Sequence, residues 1–483
     1  MNPELRAKYE VVIGIECHVQ LATKSKLFCG CDNDSREAEP NTHVCPICLG
    51  MPGTLPVLNK RAVELAIRMG LALGAEYPDH LHTKFDRKNY FYPDSPKGYQ
   101  ITQFDEPVVP GGEVIFPVDG VMKHVGITRA HLEGDAGKLT HPEGAKYSLV
   151  DLNRAETPLL EIVSEPHMHS AAEAKGYAKE LYNLARYAGV SDANLYYGNM
   201  RFDVNVSVHL PGTPLGTRTE TKNLNSFQAI ERSVEYEVRR QIVAVENGER
   251  IRQETRGWNE AKGETYPMRS KEDADEYRYF PEPDLPPLVI TTAMVQAQAH
   301  ELGLLPADLR AELAAAGLPV GESEALVADP IAATFWHQVV SLDAERSKFA
   351  FNWLIGDRVK LAADTGVDLT ASALDPATLV AVGRLVSEGK LSSSNVKALL
   401  ADLWSVTADP LARATELGLL QQSDTAELAK VVDAVIAANP QAVADYKAGN
   451  QRAFGALVGQ AMKATAGKGN PPVINQLLKG RLG

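Results

Sequence analysis

Val11-Val-Ile-Gly-Ile-Glu16-Cys-His18-Val-Gln20-Leu21 alternates: Val11, Ile13, Ile15, Cys17, Val19 and Leu21 are apolar, while Glu16, His18 and Gln20 stand between them. Such period-two alternation marks a β-strand with one face in a core and the other on a polar surface. Phe202–Val208 reads the same way, with Asp203, Asn205 and Ser207 opposite Phe202, Val204, Val206 and Val208. In Gly216–Lys222, Arg218, Glu220 and Lys222 share a face. Several strands therefore offer carboxylate, amide and cationic groups to one surface. Helices interrupt them. Ser170-Ala-Ala-Glu173 is a capping box predicting a helix to about Gly189, and Ser226 caps another that Gly248 stops. Arg61–Gly74 predicts a third.

At 483 residues the chain has room for two to four domains of roughly 100–200 residues each. Hydrophobic residues are 44% and charged residues 23%, which excludes a disordered tail, a collagen or a coiled-coil rod. No run of about 18 apolar residues predicts a membrane span, and MNPELRAKYE has no apolar signal core, so the expectation is a cytoplasmic protein without membrane contact. The balance of 49 Lys+Arg against 62 Asp+Glu, a net −13, argues against non-specific nucleic-acid binding but leaves room for a local basic patch.

Composition changes near residue 290. Only eight of the 32 aromatics lie beyond it, and Ala and Leu take over, so strands give way to helices. The expected architecture is α+β: residues 1–292 form a domain with an antiparallel sheet, 293–402 an all-α helical domain, and 403–483 a small all-α tail domain. Tyr279-Phe-Pro-Glu-Pro-Asp-Leu-Pro-Pro287 reads as the hinge after the first. Lys463, Lys468, Lys479 and Arg481 gather at the end, either as a solvated basic face or as an RNA-contacting one.

All five cysteines fall within the first 48 residues. Cys29-Gly-Cys31 and Cys45-Pro-Ile-Cys48 form two close thiolate pairs that suit a closed tetrahedral structural Zn²⁺ site, leaving Cys17 for the core. Glu16 and His18 lie about 6.5–7 Å apart on one strand face. His131-Leu-Glu133 repeats the spacing, and Glu161 is a lone acid in the apolar run Pro158–Val163. Each alone reads as an ordinary ion-pair partner; together Glu16, His18, Glu133 and Glu161 suit Mg²⁺, which takes few carboxylates plus substrate phosphates. In Phe85–Asp94, Arg87 and Lys88 are candidates to clamp phosphates while Tyr90 and Tyr92 stack on a base. No Walker A sequence, GxSxG elbow or protein-kinase signature occurs.

Gly14–Leu21, Phe85–Asp94, His131-Leu-Glu-Gly-Asp-Ala-Gly-Lys138, Asp151-Leu-Asn-Arg154, Thr157–Pro166, Glu220–Phe227 and Asp275–Asp284 together resemble the B subunits of the aspartyl/glutamyl-tRNA(Asn/Gln) amidotransferases, the GatB family, over essentially the whole chain. The resemblance implies a cradle-shaped, glutamine-synthetase-like first domain followed by helical and tail domains that hold tRNA. It implies ATP- and Mg²⁺-dependent phosphorylation of the side-chain carboxylate of Glu-tRNA(Gln) or Asp-tRNA(Asn). Ammonia channelled from a glutaminase (amidase) subunit then gives Gln-tRNA(Gln) or Asn-tRNA(Asn). A small third subunit makes up a heterotrimer, and a non-discriminating aminoacyl-tRNA synthetase is a further partner. Carried over residue by residue, Glu16, His18, Glu133 and Glu161 would be the Mg²⁺ ligands. Arg87, Lys88, Tyr90, Asp203, Asn205, Glu220 and Lys222 would line the pocket for ATP and the aminoacyl end.

Three departures from the family pattern stand out: Gly134 where a second Glu is usual, Glu156 in place of Gly, and His167 in place of Asp. None removes an expected ligand. Two rival readings are a zinc-stabilised, non-catalytic tRNA-binding scaffold and a free-standing carboxylate–amine ligase needing no tRNA.

Overall fold

The computed structural model describes residues 2–142, 144–270, 277–421, 425–465 and 468–483. Asp275 and Glu276, which open the last of the motifs above, fall outside them. The chain divides into two compact units, Met1–Asp308 and Leu309–Gly483.

The first unit is built on the strands β1 (Glu10–Gln20), β2 (His80–Thr83), β3 (Asp86–Asn89), β4 (Tyr99–Thr102), β5 (Gly112–Val118), β6 (Val121–Gly134), β7 (Lys138–Thr140), β8 (Leu149–Asp151), β9 (Pro158–Ser164), β10 (Met200–His209), β11 (Thr219–Leu224), β12 (Glu254–Asn259), β13 (Glu264–Ser270), β14 (Phe280–Pro281) and β15 (Leu288–Thr291). Eleven of them join in one sheet of order β13-β12-β11-β10-β1-β9-β6-β4-β3-β14, with β5 on β6. The alternating strand β1 is thus central, flanked by β10 and β9, both antiparallel to it. Its Val11, Ile13, Ile15, Cys17 and Val19 are all buried in the main core, as the alternation predicts. Cys17 is one of these core residues.

Among the described residues, the helices of this unit ahead of its last strands are α1 (Pro3–Ala7), α2 (Lys60–Ala72), α3 (Ala171–Tyr187) and α4 (Phe227–Glu246). The Ser170 hydroxyl accepts from the Glu173 N–H (3.2 Å) and the Ser226 hydroxyl from the Ala229 N–H (3.0 Å), so both predicted caps form. Ala174, Tyr177, Ala178 and Leu181 of α3 and Ile230, Val234 and Ile242 of α4 join the strand residues in the core. At about 1.5–3 kcal/mol for each fully buried large apolar side chain, this layer holds one sheet face shut and leaves the other for chemistry. The sheet is not wholly antiparallel: β11 and β12 run parallel. A parallel pair needs a long crossover, and α4 supplies it.

Tyr279–Pro287 is not a hinge. Phe280 and Pro281 pair with Arg87 and Asp86 as an edge strand, where a proline's missing N–H costs nothing. Ile290 is fully buried in the first unit's core, and the division between units falls later, at Asp308.

The second unit is helical. Pro330, Pro376, Pro410, Pro440 and Pro471 each stand in the first turn of a helix, where proline's fixed φ is pre-set for the turn. Trp353 and Trp404 meet edge to face at 6.2 Å. Leu428, Val432, Leu457, Ile474 and Leu478 form a separate hydrophobic cluster among the last helices. Among the described residues no helix is long and apolar enough to cross a membrane.

Candidate functional site

Strand register decides which polar residues meet. His18 faces Glu161 across β1–β9, and Glu161 faces His131 across β9–β6. Glu133 follows two residues along β6 on the same face. The His18 Nε2 atom lies 3.5 Å from Glu161 Oε2 and 3.7 Å from Glu133 Oε1; His131 Nε2 is 3.4 Å from Glu161 Oε2. One ligand atom from each of His18, Glu133 and Glu161 falls within a 4.8 Å cluster, a donor set able to hold a divalent cation. Burial disfavours a charged His18, yet the Glu161 hydrogen bond and the charges of Glu161, Glu133 and Asp203 outweigh it and push the imidazole up to about 9. Burial also opposes the Glu161 carboxylate, and His131 and His18 more than reverse this, holding it well below the usual range.

The cluster floors a cavity of about 580 Å³. Its walls include Lys88, Tyr90, Asp203 and Lys222, together with Asp135, Arg201, Asn223, Tyr277 and Arg278. Lys222 Nζ lies 2.8 Å from Asp203 Oδ2 and 3.4 Å from Glu220 Oε1. Burial opposes both lysine charges, but Glu133 raises Lys88, and Asp203 with Glu220 raises Lys222, so each is held above the ordinary lysine range. Arg201 pairs with Asp135 at 3.2 Å. A pocket presenting acids to a cation and fixed cations around it suits a polyphosphate with its metal.

Three expected residues, Glu16, Asn205 and Glu220, lie beside this cavity rather than in its lining. Glu16 accepts from Asn205 Nδ2 (3.1 Å), and both line an adjoining cavity with Gly14 and Arg218. Burial first, then the charges of Glu161 and Glu220, raise the Glu16 carboxyl. Glu220 accepts from the Thr255 hydroxyl at 3.1 Å. Arg87 is placed elsewhere: its guanidinium grips Glu282 at 2.8 Å and Asp284 at 3.2 Å and sits 4.2 Å from the Tyr99 ring centroid. It ties the 280–285 segment to the sheet, while Lys88, its neighbour on β3, faces the cavity.

His131, Asp135, Arg201, Tyr277 and Arg278 were absent from the expected set. Arg201 had a signal, since it shares the period-two face of Asp203 and Asn205. Arg278, which adopts a left-handed φ of 48°, lies in an irregular strap with no periodicity to read.

Cys29, Cys31, Cys45 and Cys48 converge within 4.8 Å. Four sulfurs at that separation fit one Zn²⁺. A fully buried Lys26 lies beside them, its Nζ 3.8 Å from Cys48 Sγ and 2.8 Å from the His43 carbonyl, a cation where an anionic thiolate set needs one.

The departures at 134 and 156 meet in space. A Cβ on Gly134 would stand 2.6 Å from Glu156 Oε2, so the acid at 156 fills the volume that a side chain at 134 would take. His167 accepts from the Gly126 N–H at 3.3 Å, apart from the ligands.

The family model described as the GatB/GatE catalytic domain matches residues 11–296, and the one described as the GatB domain matches residues 334–482. Proteins named as the B subunit of aspartyl/glutamyl-tRNA(Asn/Gln) amidotransferase are similar along their whole length. That of Thermoanaerobacter sp. (strain X514) is 46% identical over 477 residues, 98% of this chain and 99% of its own. That of Ralstonia pickettii (strain 12J) is 47% identical over 488 residues, 99% of each. That of Geobacter sulfurreducens is 45% identical over 482 residues, 98% of this chain and 99% of its own. With its central strands and the His18–Glu133–Glu161 cluster inside the matched region, the chain belongs to the GatB family, that of the B subunits of the aspartyl/glutamyl-tRNA(Asn/Gln) amidotransferases.

Proposed function

We propose that this chain activates the side-chain carboxylate of Glu-tRNA(Gln), Asp-tRNA(Asn) or both with ATP, and hands the product to ammonia. The observation that carries it is the convergence of His18, Glu133 and Glu161 on the floor of a cavity walled by Lys88, Arg201 and Lys222. A carboxylate oxygen attacks the γ-phosphorus, ADP leaves, and an acyl phosphate results. Ammonia then adds at the acyl carbon, phosphate leaves, and the nitrogen loses a proton. Phosphoryl transfer asks for positioning and charge balance more than covalent help. Lys88, Arg201 and Lys222 offset phosphate charge; Tyr90 and Tyr277 wall the site against water. His18, Glu133 and Glu161, with Glu16 alongside, would hold Mg²⁺, which when bound neutralises charge on the transferred group. Asp203 and Glu220 fix Lys222, and Asn205 fixes Glu16.

In this reading the partners are a glutaminase subunit, whose ammonia arrives by a channel, and a small third subunit. The mischarged tRNA comes from a non-discriminating synthetase in the cytoplasm. The first unit, to Asp308, forms a glutamine-synthetase-like cradle with a structural Zn²⁺ on the four cysteines, and the helices from Leu309 on form a helical and a tail domain that hold the tRNA.

The reconstituted complex tests this, with ammonium supplied and glutamine omitted. ATP cleavage and amide formation should require a mischarged tRNA, and Glu133→Gln should abolish both while leaving the melting temperature within a few degrees. Near-normal amidation by that variant would refute the ligand assignment. Stimulation by free glutamate would favour a free-standing ligase, and no ATP cleavage with either tRNA would leave a scaffold.

A further inference from the structure

The turn at 152–157 touches the cysteine loop on one side and the wall of the cavity on the other. Toward the loop, Asn153 Oδ1 accepts from the His43 N–H (2.8 Å), and Asn153 Nδ2 donates to the Glu39 carbonyl (2.7 Å). The Glu156 carbonyl accepts from the Leu27 N–H at 2.9 Å, and the Leu152 carbonyl from Lys26 Nζ at 3.5 Å. That same Lys26 ammonium lies 3.8 Å from Cys48 Sγ.

Toward the cavity, Arg154 Nε and Nη2 donate to the Ala136 and Gly137 carbonyls (3.0 and 2.8 Å), and Nε lies 3.2 Å from Asp135 Oδ2. The Glu156 N–H donates to the Asp135 carbonyl (2.8 Å), and the Asp135 N–H to the Thr157 carbonyl (2.9 Å). The contact leaves no slack, since a Cβ on Gly137 would stand 2.9 Å from both the Asp151 carbonyl oxygen and Leu152 Cδ2. Asp135 in turn pairs with Arg201 at 3.2 Å. Arg201 lines the cavity and is the register partner of His18. A guanidinium presents its donors in a rigid fork, so the carboxylate that holds it sets where the remaining donors point.

Four thiolates closed on one ion would fix the cysteine loop, and the loop's hydrogen bonds fix the turn. We propose that the 152–157 turn couples the metal state of the cysteine loop to the setting of Arg201 in the cavity, with Arg154 as a positioning residue that acts through Asp135. The proposal rests on the reading above, in which the four cysteines hold Zn²⁺ and Arg201 meets a phosphate of ATP. It gives the loop a task beyond stability: a chain short of zinc keeps its sheet but holds its nucleotide loosely. Coupling between two sites is reciprocal, so a nucleotide in the cavity tightens zinc on the loop. Such a path counts as coupling only when both ends are shown to bias one element, and here that element is the turn.

The test uses the reconstituted complex and a non-hydrolysable ATP analogue with Mg²⁺, before and after zinc is stripped by a chelator that is then dialysed away. Stripping should weaken the analogue about tenfold, the order of one misplaced hydrogen bond to a charged group, while near-ultraviolet circular dichroism and subunit assembly hold. Saturating analogue should tighten zinc by the same factor, read by competition with a chromophoric chelator. Arg154→Met, cut on the cavity side, and Asn153→Ala, cut on the loop side, should each bring that factor toward one. A merely structural role would lower stability and leave the factor as it was, and either variant suffices should the other fail to fold. A factor of one in the wild type overturns the proposal, as does a full factor in both variants. Unfolding of the stripped chain overturns it too, since zinc would then hold the fold rather than the cavity. The failures are distinct: an analogue that does not bind the zinc-loaded complex sinks the functional reading along with the coupling, whereas equal binding with and without zinc sinks the coupling alone.

Discussion

Glu156 turns its carboxylate into the space beside Gly134, with Oε2 2.6 Å from where a Gly134 Cβ would stand. It does so from a left-handed backbone, φ 67°, and pairs through Oε1 with a buried Lys97 at 2.9 Å. Lys97 in turn lies against Gly50 of the cysteine loop and 5.6 Å from the Phe28 ring centroid. The two positions should therefore behave as one unit. Gly134→Ala should cost about 1–3 kcal/mol by overpacking. Glu156→Gly relieves the backbone but strands the Lys97 charge, a loss of about 3–5 kcal/mol for a broken buried pair. Gly134→Glu with Glu156→Gly returns an acid to the same volume and should recover most of the loss. Urea denaturation of the full cycle checks this; additive effects would show that the positions are independent.

Lys26 should matter to the metal as much as to the fold. Its ammonium is wholly buried and touches Cys48. Lys26→Met keeps the stem and removes the charge, and the expected outcome is zinc affinity about 10–100-fold weaker, the usual effect of losing a group that supports metal ligands. Competition against a chromophoric chelator reads this directly. Cys45→Ser should lose the metal and lower the melting temperature with it; a metal-free protein of full stability would remove zinc from the account.

How much of this was legible is clearest on β3 and β10. Successive strand residues point to opposite faces, so Arg87 and Lys88 could not both reach one cavity. Reading Asp86–Asn89 as a strand would have separated them, but four polar residues carry no alternation of hydrophobicity. On β10 the alternation was plain, and extending it one step back from Asp203 reaches Arg201, the register partner of His18. Register itself was out of reach: no local pattern says that β9 lies beside β1, which is what joins Glu161 to His18. The proline run reads as a linker because proline excludes helix and central strand, yet an edge strand tolerates it.

Acid should loosen the edge of the site that carries Lys222. Glu237 on α4 is fully buried beneath β11 and β13, accepting from Thr219 at 2.7 Å and paired with Arg240 at 2.7 Å and Arg256 at 3.1 Å. Burial raises its pKa, but the Arg240 hydrogen bond and charge, with the hydrogen bonds of Thr265 and Thr219, more than reverse this and hold it below the ordinary value. A depressed folded pKa adds stability that is present above the unfolded value of about 4.3 and is lost as pH falls through the folded one. Glu237→Gln should destabilise by about 3–5 kcal/mol at pH 7, and the gap from wild type should narrow below pH 4. A gap independent of pH would mean that the charge of Glu237 contributes nothing.

Arg87 separates two accounts of the same residue. If it clamped phosphate, Arg87→Ala would raise the KM for ATP and leave the backbone at rest. The geometry gives it a different task, since both its carboxylate partners, Glu282 and Asp284, lie on the strap that follows Tyr277 and Arg278. Glu282 has no exposed side-chain surface, so losing the arginine leaves a buried carboxylate unpaired, and the local cost should detach the strap before it unfolds the sheet. The expected signature is faster proteolysis within residues 277–287, with the KM for both ATP and charged tRNA raised because Tyr277 and Arg278 leave the cavity wall together. Arg87→Lys should rescue little, because a lysine cannot grip one carboxylate through two nitrogens while reaching a second. A raised KM for ATP with unchanged proteolysis would return Arg87 to the phosphate.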